Sequence, residues 1–227
     1  MKNTPFIAVT SQPVPYHADT TAIFNTLCQQ NSNSLLLDSA EIGSKNSLQS
    51  LILINAAVKI TCLGNQVTFR ALNANGKQVL NEIHPVLSQL GSVSAVNFDN
   101  EFSVQFAPLD NQLDEDSKLQ AATIFDGLRV ISNHYQHSST PVFLGGLFAY
   151  DLVANFIPMQ GVELKDDGIN CPDYSFYLAE NLITIDHQTQ QATLKSFCFS
   201  QEEQVEVAKT ALSIAQKLKN IDGVLSI

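Results

Sequence analysis

VKITCLGNQVTFRA, residues 58–71, holds two runs of alternating character around a Gly-Asn pair. Val58, Ile60 and Cys62 alternate with Lys59, Thr61 and Leu63, and Val67, Phe69 and Ala71 alternate with Thr68 and Arg70. Successive side chains of a strand point to opposite faces, so each run can bury one face and solvate the other. Two such runs joined by Gly64-Asn65 predict an antiparallel hairpin.

Working upstream, Leu51 to Ile54 is expected to be another strand. Leu35-Leu36-Leu37 is a short apolar run that stops at Asp38-Ser39, as a buried strand ending in a polar loop would. Asp19-Thr20-Thr21 can start a helix through Leu27, with Ile23, Phe24 and Leu27 at helical spacing. Pro5, Pro13 and Pro15 favour an extended lead-in.

Downstream, Asn73-Ala74-Asn75-Gly76 reads as a turn before a helix from about Lys77, which Pro85 should kink or restart. Residues 102–110 suggest a strand ended by Pro108. Asp114, Glu115 and Asp116 suit a helix N-terminus, and Leu119, Ala122, Phe125, Leu128 and Ile131 carry that helix to about Tyr135. Phe143–Phe148 reads as a strand whose Gly145-Gly146 permits close backbone approach or a bulge. Residues 174–186 and 192–199 form a second hairpin. Ser200 and Glu203 have capping-box spacing, and Val205, Ala208, Leu212, Ala215 and Leu218 line one helix face, with Gly223 as its stop. Hairpins mixed with helices, without strict alternation, predict an α+β fold with a mainly antiparallel sheet. No repeat or low-complexity linker divides residues 1–227, so one compact unit is expected.

The formal charge is −10, from 12 basic and 22 acidic residues, and the basic residues are scattered singly. That pattern opposes nucleic-acid binding, which needs clustered Lys and Arg, and also an anionic membrane surface. At 44% hydrophobic residues there is material for a core. No run approaches the ~18 apolar residues of a membrane span, and the first residues lack a signal-peptide core, leaving the cytoplasm as the expected location. Cys28, Cys62, Cys171 and Cys198 are too widely spaced for a zinc site and are expected to be reduced and mostly buried.

Catalytic motifs are missing: there is no GxGxxG, GxxxxGK[ST], HExxH or GxSxG. His134 and His137 lack a third clustered ligand and read as an exposed helix end. Asp166-Asp167 reads as a solvated turn, and His187 as the polar end of a hairpin. Two places stand out. At Asp38-Ser39, a carboxylate and a hydroxyl end a fully apolar strand. They can receive an amino acid's ammonium group, or they simply cap the next turn or helix. FLGGLFAYDLV, residues 143–153, is either a ligand-facing loop or a packing junction, and glycines in apolar strands favour packing.

LLLDSAEIGSKNSLQSL (35–51), VKITCLG (58–64), LDEDSKLQAATIFDGLRVI (113–131), FLGGLFAYDLV (143–153) and NCPDYSFYLAENLITIDHQ (170–188) together resemble the N-terminal region of anthranilate synthase component I. Five blocks in the right order are more specific than any single motif. That family makes anthranilate from chorismate, with ammonia from a glutamine amidotransferase partner. The resemblance implies the N-terminal portion of the chorismate-utilising enzyme sandwich, a regulatory domain covering residues 1–227. It also implies an allosteric site for L-tryptophan built partly on Leu36-Leu37-Asp38-Ser39, with Asp38 where Glu is usual. Gln49, where relatives present Lys, and Lys45 are further candidate contacts. Arg129 is expected to support the regulatory region by pairing with a carboxylate. Catalytic residues, Mg2+-binding glutamates and the rest of the tryptophan pocket belong to a C-terminal catalytic domain with no counterpart here. The chain is therefore expected to be inactive alone and to hold no cofactor. Competing readings are the related aminodeoxychorismate synthase large subunit, a purely structural or interaction domain and, most remotely, a free-standing hydrolase.

Overall fold

The hairpin at residues 58–71 is present, but its first strand is far longer than the alternation announces. The structure, a computed structural model, describes residues 5–29, 31–38, 48–97, 100–108, 114–136, 138, 140–156 and 171–221. Its strands are β1 (Ala8–Val14), β2 (Leu35–Asp38), β3 (Gln49–Leu63), β4 (Gln66–Ala71), β5 (Ser92–Asn97), β6 (Glu101–Gln105), β7 (Leu144–Phe148), β8 (Tyr174–Asp186) and β9 (Gln191–Cys198). The helices are α1 (Thr20–Cys28), α2 (Ala74–Leu87), α3 (Glu115–Gln120), α4 (Asp126–His134) and α5 (Gln204–Asn220), with a 3-10 helix at Tyr150–Asn155.

Among the described residues these strands make one sheet in the order β1-β9-β8-β3-β4-β6-β5, every pairing antiparallel. Its spine is the long β3–β8 pair. β2 and then β4 follow one another along the free edge of β3, while β9 and β7 share the free edge of β8. The spine thus carries two lobes. One holds β1, β9 and β2, and the other holds β7, β4, β6 and β5. Between them the β3–β8 register slips from Leu53 to Val58, around Asn55 and Ala56. Such bulges bend a strand and increase its twist.

Each lobe has its own core. In the first, Ile52, Ile54, Ile183, Ile185 and Leu194 are buried with Ile23 of α1 and Ile214 and Leu218 of α5. In the second, Val58, Ile60, Val67, Phe69 and Phe102 pack with Val79 and Ile83 of α2 and Ile131 of α4. Phe69 and Phe102 stack at 5.2 Å, an offset arrangement that aromatic pairs favour.

Several sequence expectations are corrected. The 51–54 and 58–63 runs are one 15-residue strand, because bulging lets a continuous ladder cross the break in alternation. Asn73–Gly76 is not a separate turn: Asn73 caps α2, its Oδ1 accepting Gly76 N–H at 2.8 Å, so the helix starts before Lys77. Pro85 lies inside α2, which continues to Leu87. The helix expected over 114–135 is two. Asp114 caps α3, and the Asp126 carboxylate then accepts Thr123 N–H at 2.7 Å, reshaping the chain into a new start. β5 had no expected counterpart. Ser200 does not cap α5; its hydroxyl accepts Glu202 N–H at 3.3 Å, and the helix begins at Gln204. The buried face of α5 is Val207, Ala211, Ile214 and Leu218, leaving Val205 and Leu212 exposed. Both stripes have helical spacing, and contact with β9, β1 and α1 selects one. Gly223, His137 and Asp166-Asp167 lie outside the described residues.

Candidate functional site

β2 pairs with the start of β3 so that Leu35 faces Leu53, Leu36 faces Ile52, Leu37 faces Leu51 and Asp38 faces Ser50. Residues directly opposite on an antiparallel pair put their side chains on the same face. Leu35 and Leu36 are half-buried against the sheet, Leu37 is exposed rather than buried as the apolar run suggested, and the last residue presents a carboxylate at an exposed end. On that face the polar pair Asp38 and Ser50 closes the row formed by Leu36 and Ile52, at the rim of the first-lobe core.

Ser50 is fully buried, and its hydroxyl donates to Asp38 Oδ1. On the other side its Oγ lies 2.8 Å from His187 Nε2, and His187 Nδ1 lies 3.1 Å from the Tyr16 hydroxyl. The Tyr16 and His187 rings meet edge to face at 5.8 Å. Tyr16 comes from the segment between β1 and α1, and His187 from the β8–β9 turn. That turn is held by Asp186, whose Oδ1 accepts Gln188 N–H at 2.9 Å and Thr189 N–H at 3.0 Å. The Thr189 N–H, more than any other group, holds the Asp186 carboxyl below its ordinary range. The His187 N–H also donates to Leu48 O at 2.9 Å, tying the turn to the approach into β3.

The order of these groups limits their chemistry. In a nucleophilic triad the imidazole stands between hydroxyl and carboxylate and takes the hydroxyl proton. Here the hydroxyl stands in the middle, buried, and gives its proton to a carboxylate. That arrangement does not free a serine oxygen for attack. It does present a carboxylate, a group suited to an ammonium partner.

The other expected site residues are dispersed. Ser39 and Lys45 lie outside the described residues. Gln49 is exposed at the start of β3, opposite Asp186, and as the neighbour of Ser50 it points to the other face of the strand. Arg129 belongs to α4, on the other lobe. Its Nη1 lies 3.2 Å from Asp126 Oδ1 within the same helix, and its guanidinium stands 6.0 Å from the Phe125 ring. In 143–153 the close approach is real: a Cβ on Gly146 would sit 2.1 Å from Ser175 O. Leu147, Phe148 and Tyr150 nevertheless stay exposed.

Sequence reasoning missed Ser50, Tyr16 and the role of His187, which is no mere polar hairpin end. A second polar cluster was also missed. Glu180, 6% exposed, accepts Asn73 Nδ2 at 2.8 Å and Asn75 Nδ2 at 2.9 Å beside a cavity of about 330 Å³. Asn75 also donates to Phe197 O and accepts Phe199 N–H, so it binds α2 to β8 and β9. Among the described residues no three His, Cys, Asp or Glu side chains converge on a metal position. No described helix is long and apolar enough to cross a membrane.

The fold and this rim define an α+β protein with a bent antiparallel sheet and an acid-tipped edge strand. No protein-family model matches the chain. It is 85% identical over 222 residues, 98% of its length, to anthranilate synthase component 1 of Haemophilus influenzae. It is also 44% identical over 202 residues to that of Vibrio cholerae and 37% identical over 199 residues to that of Escherichia coli. These matches cover 88% and 86% of the chain. The chain is thus homologous, over nearly its whole length, to anthranilate synthase component 1. It spans 43%, 38% and 37% of these three relatives, about two fifths of their length.

Proposed function

We propose that residues 1–227 are the regulatory portion of an anthranilate synthase component 1 and that Asp38 receives the ammonium group of an L-tryptophan effector. The observation that carries this reading is the Asp38 carboxylate, presented at the exposed end of β2 and backed by buried Ser50. The homology to chains named anthranilate synthase component 1 supports the family role. In this reading the whole protein converts chorismate and ammonia to anthranilate in the cytoplasm, with ammonia from a glutamine amidotransferase subunit. The chemistry and its Mg2+ belong to a separate catalytic domain. Exposed Leu147, Phe148 and Tyr150 are apolar surface suited to packing against such a domain.

Bound tryptophan contacts both portions and favours an arrangement of low activity, by no more than its difference in affinity for the two arrangements. Ser39 adds a hydroxyl contact, and Gln49 and Lys45 lie along the same segment. Arg129 stabilises the regulatory portion away from the ligand. Calorimetry with L-tryptophan on the full-length protein and on residues 1–227 tests the reading. Tight binding by the former and weak binding by the latter is expected; equal tight binding by both sinks the split pocket. Ser39→Ala in the full-length enzyme should relieve inhibition by tryptophan. Unchanged inhibition would favour a purely structural role for this portion.

A further inference from the structure

We propose that Tyr16, His187 and Ser50 are a positioning relay that orients the Asp38 carboxylate toward the ammonium group of the effector, an inference that rests on the proposed effector site. The directions of its hydrogen bonds follow from proton counting. A carboxylate only accepts, so Ser50 donates to Asp38. The hydroxyl has one proton, so toward His187 Ser50 can only accept, and Nε2 must carry the hydrogen. In a neutral imidazole that leaves a lone pair on Nδ1, which accepts from the Tyr16 hydroxyl. Every proton of the chain points toward Asp38. Hydrogen bonds aligned in this way polarise one another, and the last one ends on a charge.

The consequence is geometric. One oxygen of Asp38 is tied to Ser50, and among the described residues the other receives no hydrogen bond. A carboxylate at the open end of a short edge strand would otherwise sample several rotamers, and fixing it beforehand removes part of the cost of binding. Ser50 occupies a fully buried position on the same face as Ile52 and Ile185, where an apolar side chain would pack without needing partners. The charged and titratable groups around His187 are Asp38 through Ser50, Tyr16 from the β1–α1 segment, and Asp186 beside it in the turn. Asp186 is already engaged by the backbone of Gln188 and Thr189. Asp38 is therefore where the chain of donors ends.

The test compares L-tryptophan with indole-3-propionate, which keeps the indole and carboxylate but lacks the ammonium, by calorimetry on the full-length protein. Wild type should prefer tryptophan. Ser50→Ala should weaken tryptophan about tenfold, the scale of one hydrogen bond to a charged group, and leave indolepropionate unchanged. Ser50→Thr, which keeps the hydroxyl, should restore the preference. Tyr16→Phe removes only the outermost hydroxyl and should lower the preference by a smaller factor; it carries the test if Ser50→Ala does not fold. If both ligands weaken together, or if the preference survives in both variants, the relay is overturned while the effector site stands. If the wild type shows no preference for tryptophan, the effector assignment falls and the relay with it.

Discussion

His134 Nε2, on α4, lies 2.8 Å from Glu82 Oε2, on α2, and the same oxygen accepts the hydroxyl of Tyr135 at 3.0 Å. One half-buried carboxylate thus joins two helices that are far apart in the chain. The buried Tyr135 ring also packs against Phe199 at 5.0 Å. Burial first, and then the negative charge of Glu82, push the Tyr135 phenol above its ordinary range, so it stays a donor.

Replacing Tyr135 with Phe removes one of these hydrogen bonds and should cost about 1 kcal/mol. Glu82→Ala leaves three polar side chains, His134, Tyr135 and Gln78, without their acceptor and should cost more, about 1–3 kcal/mol. Urea denaturation of the three proteins would order them wild type, Tyr135→Phe, Glu82→Ala. The reverse order for the two variants would mean that the carboxylate is not the joint described.

Gly76 sits in the first turn of α2 where a Cβ would fall 1.9 Å from the carbonyl oxygen of Ala57 on β3. That neighbour is backbone in the β3 bulge and cannot swing aside. Gly76→Ala should therefore lower stability by about 1–3 kcal/mol, although Ala is the better helix former. A thermal melt unchanged from wild type would show that α2 can lift from the sheet without loss.

Burial raises the Glu180 carboxyl above its ordinary value, opposed by the amides of Asn75 and Asn73. The folded chain keeps this proton at pH values where the unfolded chain, with a carboxyl pKa of about 4.3, has released it. Stability from this group is complete below the unfolded value and is lost as pH rises through the folded one. Glu180→Gln keeps an acceptor oxygen for both amides but does not titrate. It should be more stable than wild type at neutral pH, the gap closing on acidification. A gap that does not change with pH would count against this account.

Cys171 is exposed, whereas Cys28, Cys62 and Cys198 are buried and none is in a disulfide. Burial, with the nearby Asp173 carboxylate, pushes the Cys62 thiol up to about 12. The thiolate is the reactive species, so a thiol-reactive dye should label Cys171 quickly and the other three only on unfolding. Fast labelling of Cys171→Ser would contradict the burial pattern.

Alternation of apolar and polar residues at 58–71 was enough to place the first hairpin, and two strand-length runs around the polar turn at 187–191 placed the second. A period of two reports one buried face without help from the rest of the chain. Asp19 and Asp114 were legible as helix starts because a cap acts within three residues. The stripe of α5 was not, since Val205, Ala208 and Leu212 are spaced as well as Val207, Ala211 and Ile214. Only the neighbouring sheet distinguishes them.

The candidate site divides along the same line. Leu35-Leu36-Leu37-Asp38 could be read in the sequence as an apolar strand closed by an acid, because that contrast is local. What lies behind the acid could not. Ser50 is 12 residues from Asp38, His187 another 137 away, and Tyr16 sits near the opposite end of the chain. They meet because β2 pairs with β3 in one particular register and β8 brings its turn to the same edge. Strand register is set by long-range packing of whole faces, and a slip of one residue would turn Ser50 away from Asp38. The sequence by itself determined the class of fold and the exposed acid, through short-range periodicity and capping. The tertiary structure alone decided the partners of that acid, because hydrogen bonds between distant segments exist only once the sheet is assembled.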